Sequence, residues 1–198
     1  MLSIFDIYKI GVGPSSSHTN GPMIAGYQFG QLISAELNKV HRIQVDLYGS
    51  LSLTGRGHHT DKATILGLLG NRPDSIDIAS ANQIMTKSIS NKCLPLLGRH
   101  EIYFDIESDI LFHNDNLPLH ENGMSITAFD SQNTLIATEI YYSIGGGFIA
   151  TADELENGKK EANVTLEFPF KSAEELLAQA EKNGYCLGGL ILRNALSY

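Results

Sequence analysis

The stretch from Gly11 to Thr19, which reads GVGPSSSHT, constrains the fold and chemistry of this chain more than any other segment. Its glycines and proline turn the backbone sharply, and residues 19–22, TNGP, then begin a helix. Thr19 or Asn20 can cap that helix, and a proline in its first turn loses no hydrogen bond. Free N–H groups and hydroxyls therefore converge before a helix N-terminus, where partial positive charge favours a carboxylate or phosphate. The alternative is an ordinary serine-rich turn without a binding role. The presence of His18 in the same loop favours the anion site over that alternative.

The composition excludes several classes of protein. The 198 residues are 42% hydrophobic and 18% charged, which is ordinary for a globular protein with a sizeable core. A net charge of −8, without a basic cluster, argues against nucleic-acid binding. No apolar run approaches the roughly 20 residues that span a bilayer, and the first residues lack the pattern of a signal peptide. We therefore expect a cytoplasmic protein that binds neither nucleic acid nor a membrane.

Cysteine usage limits the metal chemistry of the chain. Its two cysteines, Cys93 and Cys186, form no CxxC motif and have apolar neighbours, which predicts two small buried hydrophobic side chains. An iron–sulfur cluster is normally held by about three or four thiolates, so this chain alone cannot hold one. No histidine spacing requires a metal either, and we predict no metal site within the chain.

The hydrophobic periodicity predicts a sandwich-like α+β domain in which helices pack on a mostly antiparallel mixed sheet. The predicted helices cover residues 22–39, 60–69, 80–90 and 172–184, and the predicted strands cover residues 42–48, 101–106, 110–113, 124–129, 134–143 and 164–168. Gly55 and Gly57 are expected to form a turn, and Ser172 and Glu175 a capping box. We expect a core domain over residues 1–150, and a strand, a helix and the start of a connection to a further domain over residues 151–198.

Two adjacent histidines, His58 and His59, follow the glycines of the predicted turn and precede a predicted helix. An imidazole titrates near neutral pH, so a histidine that is free to face a ligand suits proton transfer. Adjacent side chains rarely point the same way, and at most one of the two is expected to be functional. The alternative is a surface pair without a role.

Two further segments carry candidate residues. His120 and Asn122 belong to the sequence HENG, in which the Asn-Gly pair is equally a turn signal between strands. The run Gly145–Gly147 permits close backbone approach and exposes N–H donors, which suits an oxyanion or a mobile flap. The same run is equally compatible with a sheet bulge.

Five separated blocks of the chain resemble one known family. They are FDIYKIGVGPSSSHTNGPM from Phe5, VDLYGSLSLTGRGHHTDKA from Val45, NLPLHENGM from Asn116, YYSIGGGFI from Tyr141 and FPFKSAEELL from Phe168. In this order they are similar to the bacterial iron–sulfur-dependent L-serine dehydratases, or L-serine ammonia-lyases, and the first block is closer to the single-chain form. The chain thus resembles the N-terminal β domain of that form, which implies an allosteric-substrate-binding-like fold.

The resemblance implies an enzyme that converts L-serine to pyruvate and ammonia by β-elimination at a 4Fe-4S cluster, without pyridoxal phosphate. It implies that the cluster belongs to a C-terminal iron–sulfur catalytic domain outside these 198 residues, so that this chain alone binds none and is inactive. L-serine is then the substrate. A homo-oligomer is expected, because an uncovered domain boundary exposes apolar surface that favours self-association.

The resemblance and the residue patterns together give roles to the candidate residues. His58 is the expected proton-transfer residue, and His18 is the second expected catalytic residue. The residues expected to bind the substrate are Ser15, Ser16, Ser17, His18, His120, Asn122, Gly145 and Gly146. The alternative is a non-catalytic regulatory module that senses serine at the same loop and signals to a partner domain.

Overall fold

The computed structural model describes residues 10–158 and 166–196. They form two compact units, one within residues 10–158 and one within residues 166–196. The expected division at residue 150, with a connection to a further domain beyond it, stays a prediction. Within the described part of the chain, no helix combines the length and the apolar character needed to cross a membrane.

The larger unit is built on a five-stranded sheet, with a separate two-stranded sheet beside it. The strands are β1 (Arg42–Leu47), β2 (Cys93–Leu96), β3 (His100–Tyr103), β4 (Ile110–Phe112), β5 (Gly123–Phe129), β6 (Leu135–Gly145) and β7 (Phe148–Thr151). The large sheet has the order β4-β1-β5-β6-β7, and the small one pairs β2 with β3. Only β1 and β4 pair in parallel, with Val45 opposite Ile110, among the strands of the described residues.

The helices of this unit are α1 (Gly21–Leu32), α2 (Gly49–Leu53), α3 (Gly55–His58), α4 (Thr60–Leu68), α5 (Ile78–Asn91), α6 (Ile106–Asp109) and α7 (Ala152–Asn157). A π-helical turn (Ser16–Asn20) precedes α1, and a 3₁₀ helix (Ser34–Lys39) follows it. Helices α1 and α4 pack closely through glycines: a Cβ on Gly67 would lie 2.0 Å from the carbonyl oxygen of Met23. Their buried side chains share one hydrophobic core with Ile43, Val45 and Ile126 of the sheet.

The predicted α+β class is confirmed, whereas the helix predicted over residues 22–39 and the turn predicted at Gly55 and Gly57 are wrong. The helix expected over residues 22–39 ends at Leu32, because Ile33 leaves the α-helical backbone region and a 3₁₀ helix follows. The turn expected at Gly55 and Gly57 is the short helix α3. The break in the chain comes two residues later at His59, which has a φ of 57° and separates α3 from α4.

The predicted strands differ from the structure mainly at their ends. The strand expected over residues 101–106 ends at Tyr103, because the Asp105 carboxylate accepts a hydrogen bond from the Glu107 N–H and caps α6. Of the strand expected over residues 164–168, residues 164 and 165 lie outside the described residues, and residues 166–168 form no strand. Strand β2 is not among the predicted strands. It contains Pro95, which the two-stranded sheet tolerates because every strand there is an edge.

The smaller unit contains α8 (Ala173–Asn183) and α9 (Leu187–Ala195). Ser172 caps α8 as predicted, its hydroxyl accepting from the Glu175 N–H at 3.1 Å, but the Glu175 carboxylate accepts from the Lys171 N–H and not from that of Ser172. Gly184 ends the helix in the left-handed region. The prediction that both cysteines are buried is wrong: Cys186 is exposed at the start of α9, and Cys93 is half-buried on β2.

Candidate active site

The serine loop, residues 11–20, is fixed by its own side chains before it enters α1. The Asn20 side-chain oxygen accepts a hydrogen bond from the Val12 N–H at 3.1 Å, and Gly11 is pressed so closely against Asn20 that a Cβ there would lie 2.0 Å from its amide nitrogen. The Ser15 hydroxyl accepts from the His18 N–H and starts the π-helical turn. The expected cap by Thr19 or Asn20 is therefore wrong, whereas the proline in the first turn of α1 is confirmed.

A chain of hydroxyl groups holds the imidazole of His18 at both nitrogens. Its Nδ1 lies 2.9 Å from the Ser17 hydroxyl, which is 3.3 Å from the Ser15 hydroxyl. Its Nε2 lies 2.9 Å from the hydroxyl of Ser50, on α2. Ser16 is exposed. Ser50 was not among the predicted residues, because an isolated serine after a strand carries no sequence signal of its own.

His58 is brought against His18 by two reciprocal hydrogen bonds. The Thr19 hydroxyl donates to the His58 carbonyl at 3.0 Å, and the Thr60 hydroxyl donates to the His18 carbonyl at 2.8 Å. The two imidazole centroids are 4.9 Å apart. The first bond starts from the residue after His18, and the second from Thr60, two residues after His58, so the two histidine-bearing segments are fixed relative to each other.

The hydrogen bond of His58 determines which of its nitrogens can act as a base. Its Nδ1 lies 3.0 Å from the carbonyl oxygen of Thr54, and because a carbonyl only accepts, Nδ1 must carry the proton. In the neutral ring the lone pair is then on Nε2, as proton abstraction requires. His59 is exposed, and its strained backbone begins a different helix.

The electrostatics of the pair favour a neutral His18. Burial lowers the pKa of His18 below its ordinary value of 6.5, and the neighbouring His58 lowers it further. The contact with Ser50 and the negative charge of Glu121 act on that pKa in the opposite direction and do not reverse the shift. At neutral pH the ring is therefore uncharged.

The segment that carries His120 and Asn122 joins the same region through α2. The Ser50 N–H donates to the carbonyl of Glu121 at 2.9 Å, and the Asn122 N–H donates to Nδ1 of His120 at 3.0 Å. Gly49, just before Ser50, has a φ of 53°, and a Cβ there would lie 2.2 Å from the Glu121 carbonyl oxygen. A glycine is thus required where these two segments meet.

Two buried polar atoms near the start of α1 lack hydrogen-bond partners among the described residues: Oδ1 of Asn122 and Oγ of Ser143. The two residues bind each other through other atoms, since the Asn122 amide donates to the Ser143 carbonyl at 3.2 Å. Ser143 touches the helix start, because a Cβ on Gly21 would lie 2.2 Å from its hydroxyl. Buried polar atoms without partners are uncommon, and one acceptor beside one hydroxyl suits a polar ligand.

The three glycines after this serine form the turn between β6 and β7. Gly145, Gly146 and Gly147 have φ values of 92°, 61° and 78°, and the strand register shifts between Ser143 and Gly145. The sheet irregularity that was the alternative interpretation is therefore present. Among the described residues no hydrogen bond joins Gly145 or Gly146 to either histidine, and their substrate-binding role stays a prediction.

Comparison with known proteins assigns this arrangement to a family. The family model described as the serine dehydratase beta chain matches residues 3–154. The chain belongs to the serine dehydratase beta-chain family. L-serine dehydratase 1 of Escherichia coli K12 is 50% identical over all of this chain and 44% of that protein. The L-serine dehydratases of Haemophilus influenzae and Streptomyces coelicolor are 46% and 41% identical, over 100% and 98% of the chain.

Family membership confirms the resemblance that the five sequence blocks indicate. The comparison covers only part of each relative. The chain spans less than half the length of these relatives, covering 43–44% of each. More than half of each relative therefore has no counterpart in this sequence. What the relatives do as whole proteins depends on that remainder as well.

The residues of this chain do not fit a four-iron cluster. The sequence has two cysteines; in the structure Cys93 lies half-buried in the larger unit and Cys186 lies exposed in the smaller one. Within residues 10–158 and 166–196, no three His, Cys, Asp or Glu side chains lie close enough together to hold a metal ion. We therefore assign no residue of this chain to a cluster.

Proposed function

We propose that this chain is the substrate-binding and proton-transfer domain, N-terminal in the whole protein, of an L-serine dehydratase that forms pyruvate and ammonia by β-elimination. The observation that carries the proposal is the fixed His18–His58 pair, in which Nε2 of His58 is free of protein hydrogen bonds among the described residues. The catalytic roles of His58 and His18 and the cytoplasmic location expected from the sequence belong to the same proposal.

Substrate binding is proposed at the serine loop. The hydroxyls and N–H groups of Ser15, Ser16 and Ser17 precede α1, where the helix dipole favours the carboxylate of L-serine. His120, Asn122, Gly145 and Gly146 complete the proposed set. The unpartnered side-chain oxygen of Asn122 is a hydrogen-bond acceptor, and it suits the ammonium or hydroxyl group of the amino acid.

Proton transfer is proposed at His58. Its Nε2 accepts the Cα proton of serine, and the Cβ–O bond breaks to give 2-aminoacrylate with net release of one water. The aminoacrylate tautomerises to an imine, which takes up one water to give pyruvate and ammonia. Since the chain does not fit a cluster, we assign the 4Fe-4S cluster, and the activation of the leaving hydroxyl, to the remainder of the whole protein.

The surface beside the site supports a C-terminal partner domain. Leu53, Leu119 and Ile144 are 72%, 39% and 44% exposed, and each lies within five residues of a site residue in the sequence. Exposed apolar side chains around a polar site are typical of an interface. The proposed occupant is the part of the relatives that this chain does not cover, and a homo-oligomer is proposed on the same ground.

We expect the chain alone to form no pyruvate from L-serine and to bind no stoichiometric iron or sulfide after anaerobic purification, because it lacks the thiolates of a cluster. The same chain extended to the length of its relatives is expected to form pyruvate from L-serine and to bind stoichiometric iron and sulfide. Brown colour with stoichiometric iron and pyruvate formation by the chain alone would contradict the proposal.

The second candidate function is a regulatory module that senses serine. In that case the extended protein would bind serine through this chain, and its pyruvate formation would not depend on His58.

A further inference from the structure

A cleft that contains none of the proposed serine-site residues borders the serine loop. Its volume is about 360 Å³, and it is enclosed by the loop, by α4 and by the beginning of α5. Its walls are mainly apolar, formed by Val12, Pro14, Ala63, Leu66, Ile76 and Met85. We call it the α4–α5 cleft. An apolar cavity of this size, with a few polar groups at its edge, has the character of a small-molecule site.

The side chains of His59 and Lys62 line the cleft and are not engaged in other side-chain interactions among the described residues. His59 immediately precedes α4, Lys62 lies three residues later in the first turn of that helix, and Asn82 lines the cleft from α5. Neither His59 nor Lys62 forms a side-chain hydrogen bond or an ion pair within the described part of the chain. The Asp61 carboxylate accepts from the Lys62 backbone N–H at 2.8 Å and forms no ion pair with the Lys62 ammonium.

The backbone at His59 explains how adjacent histidines serve different sites. Its φ of 57° is in the left-handed region, which residues other than glycine adopt uncommonly. This break between α3 and α4 leaves His58 against His18 and places His59 in the lining of the cleft. Strained backbone of this kind is concentrated at ligand sites.

The cleft is also joined to the histidine pair by Thr19. This residue lines the cleft, and its hydroxyl donates to the His58 carbonyl at 3.0 Å. Gly13 lets the loop close on it, because a Cβ at Gly13 would lie 2.8 Å from the Thr19 methyl group. A molecule in the cleft would therefore contact residues bonded to, or adjacent to, both members of the pair.

We propose that the α4–α5 cleft binds a small monocarboxylate with a branched apolar tail. The carboxylate pairs with Lys62 and His59, and the tail fills the cavity between Leu66, Ile76 and Met85. Serine does not suit this cleft, since its side chain is short and polar, and inorganic phosphate does not suit it, since the walls are apolar. The site is separate from the proposed serine site and does not depend on the dehydratase proposal.

The test is a titration of the ¹⁵N-labelled chain with isocaproate, with isocaproamide as a matched ligand that has the same tail and no charge. Saturable shifts are expected at His59, Lys62 and the α5 residues with isocaproate, and none with the amide. Lys62→Gln is expected to weaken isocaproate binding about tenfold, because it removes a charge-assisted hydrogen bond. His59→Asn is expected to weaken it less, and asparagine is chosen because it tolerates the left-handed backbone.

The proposal is overturned if isocaproate gives no saturable shift up to its solubility limit, or if Lys62→Gln leaves its affinity unchanged. Equal binding of the amide would also overturn it, because the cleft would then be an apolar groove without anion recognition. Lys62 is exposed, so its replacement is not expected to unfold the chain, and an unchanged circular dichroism spectrum checks this.

Discussion

Replacing His58 by alanine in the protein extended to the relatives' length lowers kcat for L-serine by about 10²–10⁴-fold and changes KM little, if the proposed function is correct. The reason is the geometry of the ring. The Thr54 carbonyl holds the proton on Nδ1, so that Nε2 can take the Cα proton, whereas the carboxylate contacts belong to the serine loop. Steady-state pyruvate formation measures both constants.

A matched control is His41→Ala, because His41 is exposed and belongs to none of the segments around the His18–His58 pair. It is expected to keep normal kcat and KM. If the His58→Ala variant keeps near-normal turnover, His58 has no role in proton transfer, and His18 or His120 would replace it as the proposed base. Loss of a serine-dependent response, with turnover retained, would favour the regulatory module.

The second large effect is expected at the contact between α1 and α4. Gly67→Ala should lower the free energy of unfolding by about 3 kcal/mol, because overpacking of a rigid contact forces the backbone apart. The new methyl carbon would lie 2.0 Å from the Met23 carbonyl oxygen and 2.7 Å from the Tyr27 nitrogen, and backbone atoms cannot rotate away. Urea unfolding followed by circular dichroism measures the change.

Gly57→Ala is the matched control, since Gly57 is also helical and nothing lies within 4 Å of a Cβ there. It is expected to leave the free energy of unfolding unchanged or to raise it by about 0.5–1 kcal/mol. If the Gly67→Ala variant unfolds at the same urea concentration as the unchanged chain, the result contradicts the close backbone contact between α1 and α4 at Gly67.

The serine loop could be predicted from the sequence in its general shape but not in its hydrogen bonds. The local pattern of glycine, proline, serine and histidine predicts a turning loop that enters a helix, and the structure has one. The expected cap by Asn20 is wrong because that side chain bonds to Val12, eight residues away. Propensity describes what a residue favours locally, whereas this bond depends on how the whole loop folds back.

Other features depend on contacts that no local pattern encodes. Ser50 reaches Nε2 of His18 across 32 residues, and the parallel pairing of β1 with β4 joins Val45 to Ile110. The left-handed backbone at His59 could not be predicted from the sequence, because histidine adopts that region more often than most residues but still in only a minority of cases. By contrast, the cap of α8 by Ser172 and the left-handed stop at Gly184 are local, and both could be predicted.

The proposed binding of L-serine by this chain, around the His18–His58 pair, underlies all of the proposed chemistry. It is tested most directly by titrating L-serine into the chain labelled with ¹⁵N at its histidines, and following all imidazole signals by NMR. We predict saturable shifts at His18 and His58, weakened in Ser17→Ala, and no shift at His41 or His100. No shift at His18 and His58 at the highest serine concentration, or shifts confined to the other histidines, would contradict it.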